Sequence, residues 1–591
     1  MRALIQRIRD DLMAAEDTVC LERARLVTEA WRRHDGEPVP VKRAKAFAHV
    51  LRHMSLDVRS NPVFAGNTSA RPRAWMLVPE HGFGIAPQVL IENVGLERHL
   101  DGAIPDDLLG YWRERSFGGC CGIGHLAVDL ELVVHRGLEA LIAETRSYGD
   151  EADPARQAYR DAMAIALRAV IDWAGRYADA AAAAARAERD PLLRACHQRV
   201  ADACRRVPGR PARDLFEGLQ AIVLVHLATA IEGHGMSISI GLPDRVLAPF
   251  VDEDFDSELA TSLCAALMLK VASNSLFGRG SKTQPITVGG LDHRGTDQCN
   301  ALTRCFLDAC ERVRVGDPHL FLRWHDGIDP GIKRRAGEML AAGASMPLLV
   351  HDAPTVQGFL GAGVEAEDAW DYCVIGCNEL GIPGRAQETS TATSGTIQHL
   401  ALLNQTLLDH PDPDAIGGMG ELLACLERTM AVHASGARER WRRRRPQVVA
   451  SVPTPFTSAL MRGCIARGQD LLEGMAYHFP SLYERGLSNA ANALTAINEL
   501  VFRARSVGMG ELLAALRSDF ADATLRERLL AAPKWGNDDD QADGWALELV
   551  AMRERVLDGI DARFGHRAHF VCHVVRSLHH VDGRRIAASP D

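Results

Sequence analysis

Apolar residues recur at helical spacing through the first thirty or so positions: Ile5, Ile8 and Leu12, then Leu21, Leu26, Val27 and Trp31. That period predicts helix over 5–34, closed by the loop Gly36-Glu-Pro-Val-Pro40. A helix is expected at about 41–57, leading into an extended Val63-Phe-Ala-Gly-Asn67. Residues 155–207 read as helix, with the run Ala180–Ala185 as filler of high helix propensity and Pro208 and Pro211 as the stop. Apolar helices are expected at 213–232 and 257–276. Between and after them lie short apolar runs: Pro285-Ile-Thr-Val288, His319-Leu-Phe-Leu-Arg323, Pro347-Leu-Leu-Val350, Tyr372-Cys-Val-Ile375 and Val448-Val-Ala-Ser-Val452. Each is four or five residues long, apolar on both faces and separated from the next by helical sequence. This pattern predicts buried parallel strands joined by helical crossovers. No repeat of 20–50 residues and no low-complexity linker interrupts it.

Composition narrows the picture. A chain of 591 residues allows about three or four average domains, or one large barrel in a helical shell. With 47% hydrophobic and 24% charged residues it is not a disordered chain. The net charge of −10, dispersed along the sequence, argues against nucleic acid as the main partner. The longest apolar candidate for a membrane span, Leu219 to Ile231, is interrupted by Gln220, His226 and Thr229. The start, MRALIQRIRDDLMAAED, is neither a signal peptide nor a lipidation site, so a cytoplasmic protein with no membrane partner is expected. The 14 cysteines form no CxxC pair and no zinc quartet, and most should be small buried hydrophobes. Only six of the 67 basic residues are Lys, a bias that reads as a GC-rich bacterial genome.

The chemistry concentrates in Asp371-Tyr-Cys-Val-Ile-Gly-Cys-Asn-Glu-Leu-Gly-Ile-Pro-Gly384. A buried strand runs into Gly376, Cys377 follows, and Glu379 comes two residues later. If the backbone stays extended, a sulfur and a carboxylate face one pocket at the end of a strand. Gly376, Gly381 and Gly384 suit a tight loop tip. Cys373, one strand-length earlier, reads as core. Cys120 and Cys121 beside Gly118-Gly119 are open between loop packing and function, and His125 is open between a structural and a substrate-contacting role. His573, His579 and His580 have no carboxylate or Cys at ligand spacing, so no metal site is expected there.

These residues resemble the pyruvate formate-lyase-like glycyl radical enzyme family, whose eliminase and dehydratase members carry a Gly-Cys-x-Glu loop at the centre of a barrel. The likeness continues in order along the chain: Gly66-Asn67, Pro79-Glu80, Gly124-His125 with Asp129, Ala212-Arg213 with Phe216-Glu217, Ser237-Ile-Ser239, Gly289-Gly290, Arg323, Asp352 and Ala532-Pro-Lys-Trp-Gly-Asn-Asp-Asp-Asp540. The resemblance implies an α/β fold, a ten-stranded barrel of two parallel half-sheets surrounded by helices. One barrel domain would cover 1–591, mainly helical over 1–210, with the barrel core and the Cys377 loop in 211–591. Whether its C-terminal end is complete is left open. In the family's chemistry a Cys377 thiyl radical abstracts a substrate hydrogen, and Glu379 then acts on a hydroxyl, an amine or the leaving group. His125, Met236, Ser237, Asp352 and Thr391 would contact the substrate.

Several positions depart from the family. Thr391 stands where diol-type dehydratases carry Asp, Met236 where they carry His, and Leu380 where Pro usually follows the Glu. Glycerol, propanediol and choline are therefore not favoured, and some other small polar substrate is expected. No Arg-Val-x-Gly-Tyr loop, the family's store of the glycyl radical, occurs in the chain. Three readings follow. The chain is a radical lyase or dehydratase large subunit initiated by adenosylcobalamin and/or a separate partner chain. Or it is the large subunit of a split glycyl radical enzyme, with the Gly loop supplied in trans. Or it is a catalytically silent relative that binds a ligand or scaffolds a partner. Against the first, no Asp-x-His-x-x-Gly motif is present, and Asp292-His-Arg-Gly295 has the wrong spacing. A second subunit is expected in the first two readings, and a homo-oligomer is left open.

Overall fold

The computed structural model describes the chain except for Asp17, residues 82–101, 116–123, 149–152, 234–236, 275–281 and 389–395, Pro480, and residues 565–569 and 574–591. It divides into two compact units: Met1–Thr389 with Arg445–His478, and Ser390–Arg444 with Phe479–Asp591.

The first unit begins as the periodicity predicts. Helices Arg2–Ala14 and Glu22–Arg33 bury Ile5, Ile8 and Leu12 and then Val27 and Trp31. The break between them holds a two-residue strand, β1 (Val19–Cys20), which pairs in parallel with β2 (Trp75–Met76). Helix Val39–His53 follows, and the long stretch resolves into Pro154–Ala187 and Pro191–Cys204. Asp153 and Asp190 cap these two, their carboxylates accepting from first-turn N–H groups, and each has Pro at its start, where no N–H is needed. Leu215–Glu232 has the length and apolarity of a membrane span, but 94% of it is buried inside the protein as a core helix. A carboxylate hub ties the helices together: Glu80 accepts from Arg23 at 2.5 Å and from Arg43 at 2.7 Å, all three almost fully buried.

Parallel strands then build one half-sheet. β3 (Leu126–Ala127) pairs with β4 (Ile238–Ser239), and β5 (Ile286–Gly289) pairs with β6 (Leu320–Trp324), which pairs with β7 (Leu348–His351). A parallel bridge between Gly241 and Ile286 joins the two pieces, so the five strands lie in chain order. β3 belongs to this sheet although it lies within 1–210. The helical N-terminal part and the barrel core are thus interleaved, and the boundary expected at residue 210 is not a structural one. β7 departs from the expectation of strands buried on both faces, since Leu348 and Leu349 are exposed. The Tyr372–Ile375 run contributes β8 (Cys373–Ile375), but to an antiparallel hairpin with β9 (Glu379–Gly381). The Val448–Val452 run is not a strand: helix Met419–Ser451 runs through Pro446 to Ser451. Val448 and Val452 are buried one helical turn apart, and so short an apolar run fits either period.

In the second unit Thr396–Gln398, Ser481–Arg485 and Phe570–His573 form a parallel sheet, with Ser481–Arg485 in the middle. Its core includes Leu422, Leu426 and Met430 of the long helix, Leu494 and Ile497, and Leu549, Met552 and Leu557.

Replacing Glu80 by Ala removes the carboxylate that two buried guanidinium groups share. It should cost about 3–5 kcal/mol, measured as a fall in the urea midpoint. Asp107→Ala removes the pair with Arg32, whose side chains are 41% and 63% exposed, and should cost under about 1 kcal/mol.

Candidate active site

The β8–β9 hairpin carries the predicted chemistry. Its register pairs Cys373 with Gly381, Val374 with Leu380 and Ile375 with Glu379, which leaves Gly376, Cys377 and Asn378 as the tip. Cys377 and Glu379 therefore do not share one face of an extended strand, as simple alternation predicts. Cys377 sits at the tip and Glu379 begins the returning arm, and the Glu379 carboxylate folds back across the turn. Glu379 Oε2 accepts from the backbone N–H of Cys377 at 2.6 Å and of Asn378 at 3.1 Å. Glu379 is buried, Asn378 exposed and Cys377 half-buried. Of the eleven described thiols only Cys299 is similarly half-buried, and Cys299 is tied into the Asp297 loop. Cys373 is fully buried against Ala127, Leu242 and Ile375, as a core residue, and burial pushes its thiol up to about 12.

Gly376 fixes the tip. Its φ of +65° lies in the left-handed region, and a Cβ there would fall 2.2 Å from His125 Cδ2 and 2.5 Å from Glu379 Oε2. The imidazole and the carboxylate thus pack directly over the glycine. His125 Nε2 lies 3.5 Å from Glu379 Oε1. Burial lowers the imidazole's pKa and outweighs the opposing pull of Glu379, so the ring is neutral near pH 7.

Three residues at the starts of adjacent strands share that left-handed conformation: His125 (φ 54°) before β3, Ser237 (φ 68°) before β4 and Thr283 (φ 51°) before β5. Each deviation costs on the order of 1 kcal/mol, and for a β-branched Thr it is a marked outlier. The three are linked laterally. Leu126 N–H donates to Ser237 O at 3.2 Å and Ser237 N–H to Lys282 O at 2.7 Å, and the Ser237 and Thr283 hydroxyls are hydrogen-bonded. Such a row of strained residues is the kind of feature that clusters at functional sites.

Asp352 has a different place from the one expected. It accepts from Arg323 Nε at 2.8 Å and Nη2 at 3.0 Å, from the Tyr372 hydroxyl at 2.7 Å and from Leu291 N–H at 2.7 Å. Burial pushes its carboxyl up, but the guanidinium and these donors hold it below the usual range. With both oxygens engaged it anchors the root of the hairpin and has no free face for a substrate. Met236, Thr391, Cys120, Cys121, His579 and His580 lie outside the described residues. No group of three or more His, Cys, Asp or Glu placed to hold a metal occurs among the described residues. Sequence reasoning passed over Thr287, Tyr372 and the role of Ser239. Thr287 accepts from Val374 N–H at 3.0 Å and Ser239 from Gly376 N–H at 3.3 Å. The available signal was a hydroxyl residue inside each of two otherwise apolar strands.

Comparison with known proteins places this site in a family. The pattern described as pyruvate formate lyase-like matches residues 1–420 and 447–573. The (2S)-3-sulfopropanediol dehydratase of Klebsiella oxytoca is 26% identical, over 91% of this chain and 74% of its own length. The probable dehydratase YbiW of Escherichia coli (strain K12) is 27% identical, over 89% and 74%. The glycerol-bound form of the B12-independent glycerol dehydratase from Clostridium butyricum superposes with a TM-score of 0.86 at 22% identity, over 97% of this chain and 80% of that one. The chain belongs to the pyruvate formate lyase-like family, has its α/β barrel fold and is a radical lyase.

Gly376→Ala should combine left-handed strain with overpacking against His125, a loss of about 2–5 kcal/mol. Gly295 shares a positive φ (+78°) but has open space around it, so Gly295→Ala should cost only about 1–2 kcal/mol. Urea unfolding of the two variants side by side checks the difference.

Proposed function

We propose that the chain uses a Cys377 thiyl radical to eliminate a leaving group from a small polar substrate bearing a hydroxyl or amine beside the bond that breaks. The observation that carries this reading is the hairpin tip, where a half-buried thiol and a buried carboxylate are held within one turn, with His125 against the carboxylate. The sulfur takes a hydrogen atom from the substrate, breaking C–H and forming S–H. Glu379 accepts the proton of the hydroxyl on the radical carbon, which drives electron density toward the neighbouring carbon and expels the leaving group. The product radical takes its hydrogen back from Cys377, so the thiyl radical is regenerated. Neutral His125 hydrogen-bonds the substrate or receives the proton in turn. Met236, Ser237 and Thr391 are proposed as further substrate contacts. The relatives named as dehydratases support a dehydration, on a substrate in the size range of a three-carbon diol. A cytoplasmic location belongs to the same proposal.

The radical is proposed to reach Cys377 from a glycyl loop outside these 591 residues, on a partner chain or on a continuation of this one. The solved neighbour is a B12-independent enzyme, so this fold does not need cobalamin. The adenosylcobalamin route has no residue to support it among those described: Asp292 to Gly295 is a turn, with Asp292 accepting from Arg294 and Thr296 N–H and with His293 exposed. No step is assigned to that cofactor.

Cys377→Ala should abolish turnover, while Asn378→Ala, altering the exposed tip residue, should keep it within about tenfold. Glu379→Gln should lower kcat by about 10²–10⁴ yet still exchange substrate hydrogen with solvent deuterium through the thiol. Turnover that survives Cys377→Ala would overturn the thiyl mechanism, and no turnover in the native protein would leave the silent, ligand-binding reading. Anaerobic electron paramagnetic resonance identifies the radical source. With the partner chain or continuation that carries the loop present, a glycyl doublet after treatment with an activating radical-SAM enzyme is expected, and a cobalt(II) signal would reverse the assignment.

A further inference from the structure

Of the chain's six lysines, Lys270 is placed least like a surface cation. It lies near the C-terminal end of helix Ser257–Ala272, its residue is 2% exposed, and it lines a cavity of about 60 Å³ that opens at exposed Asp11 and Arg71. Ile8 and Leu12 of the first helix close one side of the cavity, and Asp57, Thr68 and Ser273 line others. The ammonium makes no hydrogen bond and no close ion pair to any described residue; its one electrostatic partner is the more distant Asp57. Three of the polar groups around it are already engaged. Thr68 donates to Asn274 at 3.2 Å, Ser273 donates to Lys270 O at 2.6 Å, and Asp57 accepts from Arg59 and Ser60 N–H at 2.9 and 3.0 Å and from the Ser60 hydroxyl.

The Lys270 ammonium therefore lies at a cavity and has no hydrogen-bond acceptor among the described residues. A buried cation is tolerated only where something completes its hydrogen bonding. The cavity holds about four or five water-sized atoms. A chain that uses Arg at 61 of its 67 basic positions carries here the slimmer side chain, a point charge that leaves the cavity open where a guanidinium would extend into it. We propose that this cavity is a binding site for a small oxoanion of the bicarbonate, phosphate or sulfate class, with Lys270 as its cationic donor. Burial pushes the ammonium down to about 8, against the pull of Asp57. It is thus mostly charged at neutral pH, and a bound anion would hold it so. The proposal is independent of the Cys377 chemistry.

The test is thermal unfolding of the full chain titrated with sodium bicarbonate, phosphate or sulfate, at ionic strength held constant with sodium chloride. One oxoanion is expected to raise the midpoint saturably. Lys270→Met should weaken that effect at least tenfold, and Asp57→Asn, which removes the opposing charge, should strengthen it severalfold. Lys270→Gln replaces Lys270→Met if the latter does not fold. In the native protein the same anion should slow acylation of Lys270 by a small anhydride, mapped by peptide mass. No saturable shift and no protection would mean that the cavity holds water only. An equal shift in Lys270→Met would mean an adventitious ion only. Either result overturns the proposal.

Discussion

A two-stranded hairpin laid against the face of a parallel sheet has a physical difficulty at its edges. Its two strands satisfy each other along one side only, and the outer N–H and C=O groups of β8 meet no ladder. This chain meets them with side chains. Along the outer edge of β8 the N–H groups of residues 374 and 376 go to the Thr287 and Ser239 hydroxyls, on β5 and β4. Below them Arg323 of β6 donates to the carbonyls of Trp370 at 2.8 Å and Tyr372 at 3.3 Å. The guanidinium also stacks over the Tyr372 ring, 4.0 Å from its centroid, and is neutralised by Asp352. Room for it comes from Gly290, where a Cβ would lie 2.4 Å from Arg323 Nε. Three strands thus hold one hairpin, and the height of Cys377 above them follows from which residue of each strand carries the polar group.

The tip obeys a second constraint. The hairpin could have been closed by many turns, but only one without a side chain at 376 lets His125 and Glu379 reach the same spot. Burial of the imidazole removes its charge, and the Glu379 carboxylate is held instead by the two N–H groups of its own turn. The positive φ values at His125, Ser237 and Thr283 belong to the same arrangement. Each strand bends at its first residues around the tip, and the cost is offset by lateral hydrogen bonds from strand to strand.

Much of this was legible in the sequence. The helices followed from a 3.6-residue period, and β5, β6 and β7 fell where short apolar runs predicted them, because runs of that length between long helices leave little choice. Cys377, Glu379 and His125 were singled out and the structure brings them together. What failed, failed for identifiable reasons. β3 and β4 are two residues long, too short for any period to register. The Val448–Val452 run is apolar at a spacing that a helix uses equally well. Alternation could not reveal that the chain reverses between Cys377 and Glu379, because two residues of separation put side chains on one side only if the backbone stays extended. Asp352 reads as a substrate contact only by family resemblance, and its partners Arg323 and Tyr372, 29 and 20 positions away in sequence, become visible only in the fold. Burial and pairing, not identity, decide whether such a carboxylate serves structure or substrate.

The same rule separates the buried charges of the first unit into two kinds. Glu80 serves two guanidinium groups at once, and Asp352 receives a two-pronged contact from Arg323 together with a phenol and an amide. In both, the flat fork of Arg matches the carboxylate and most donors are used, which is the geometry in which a desolvated pair holds parts of the fold in register. Lys282, also buried, reaches Asn274 Oδ1 at 2.6 Å in a cluster with Gln284 and Asp317. Lys270 has no such contact, although it is equally removed from solvent. Where Glu80, Asp352 and Asn274 supply acceptors to Arg43, Arg323 and Lys282, the Lys270 cavity is the place where the proposed oxoanion would supply one.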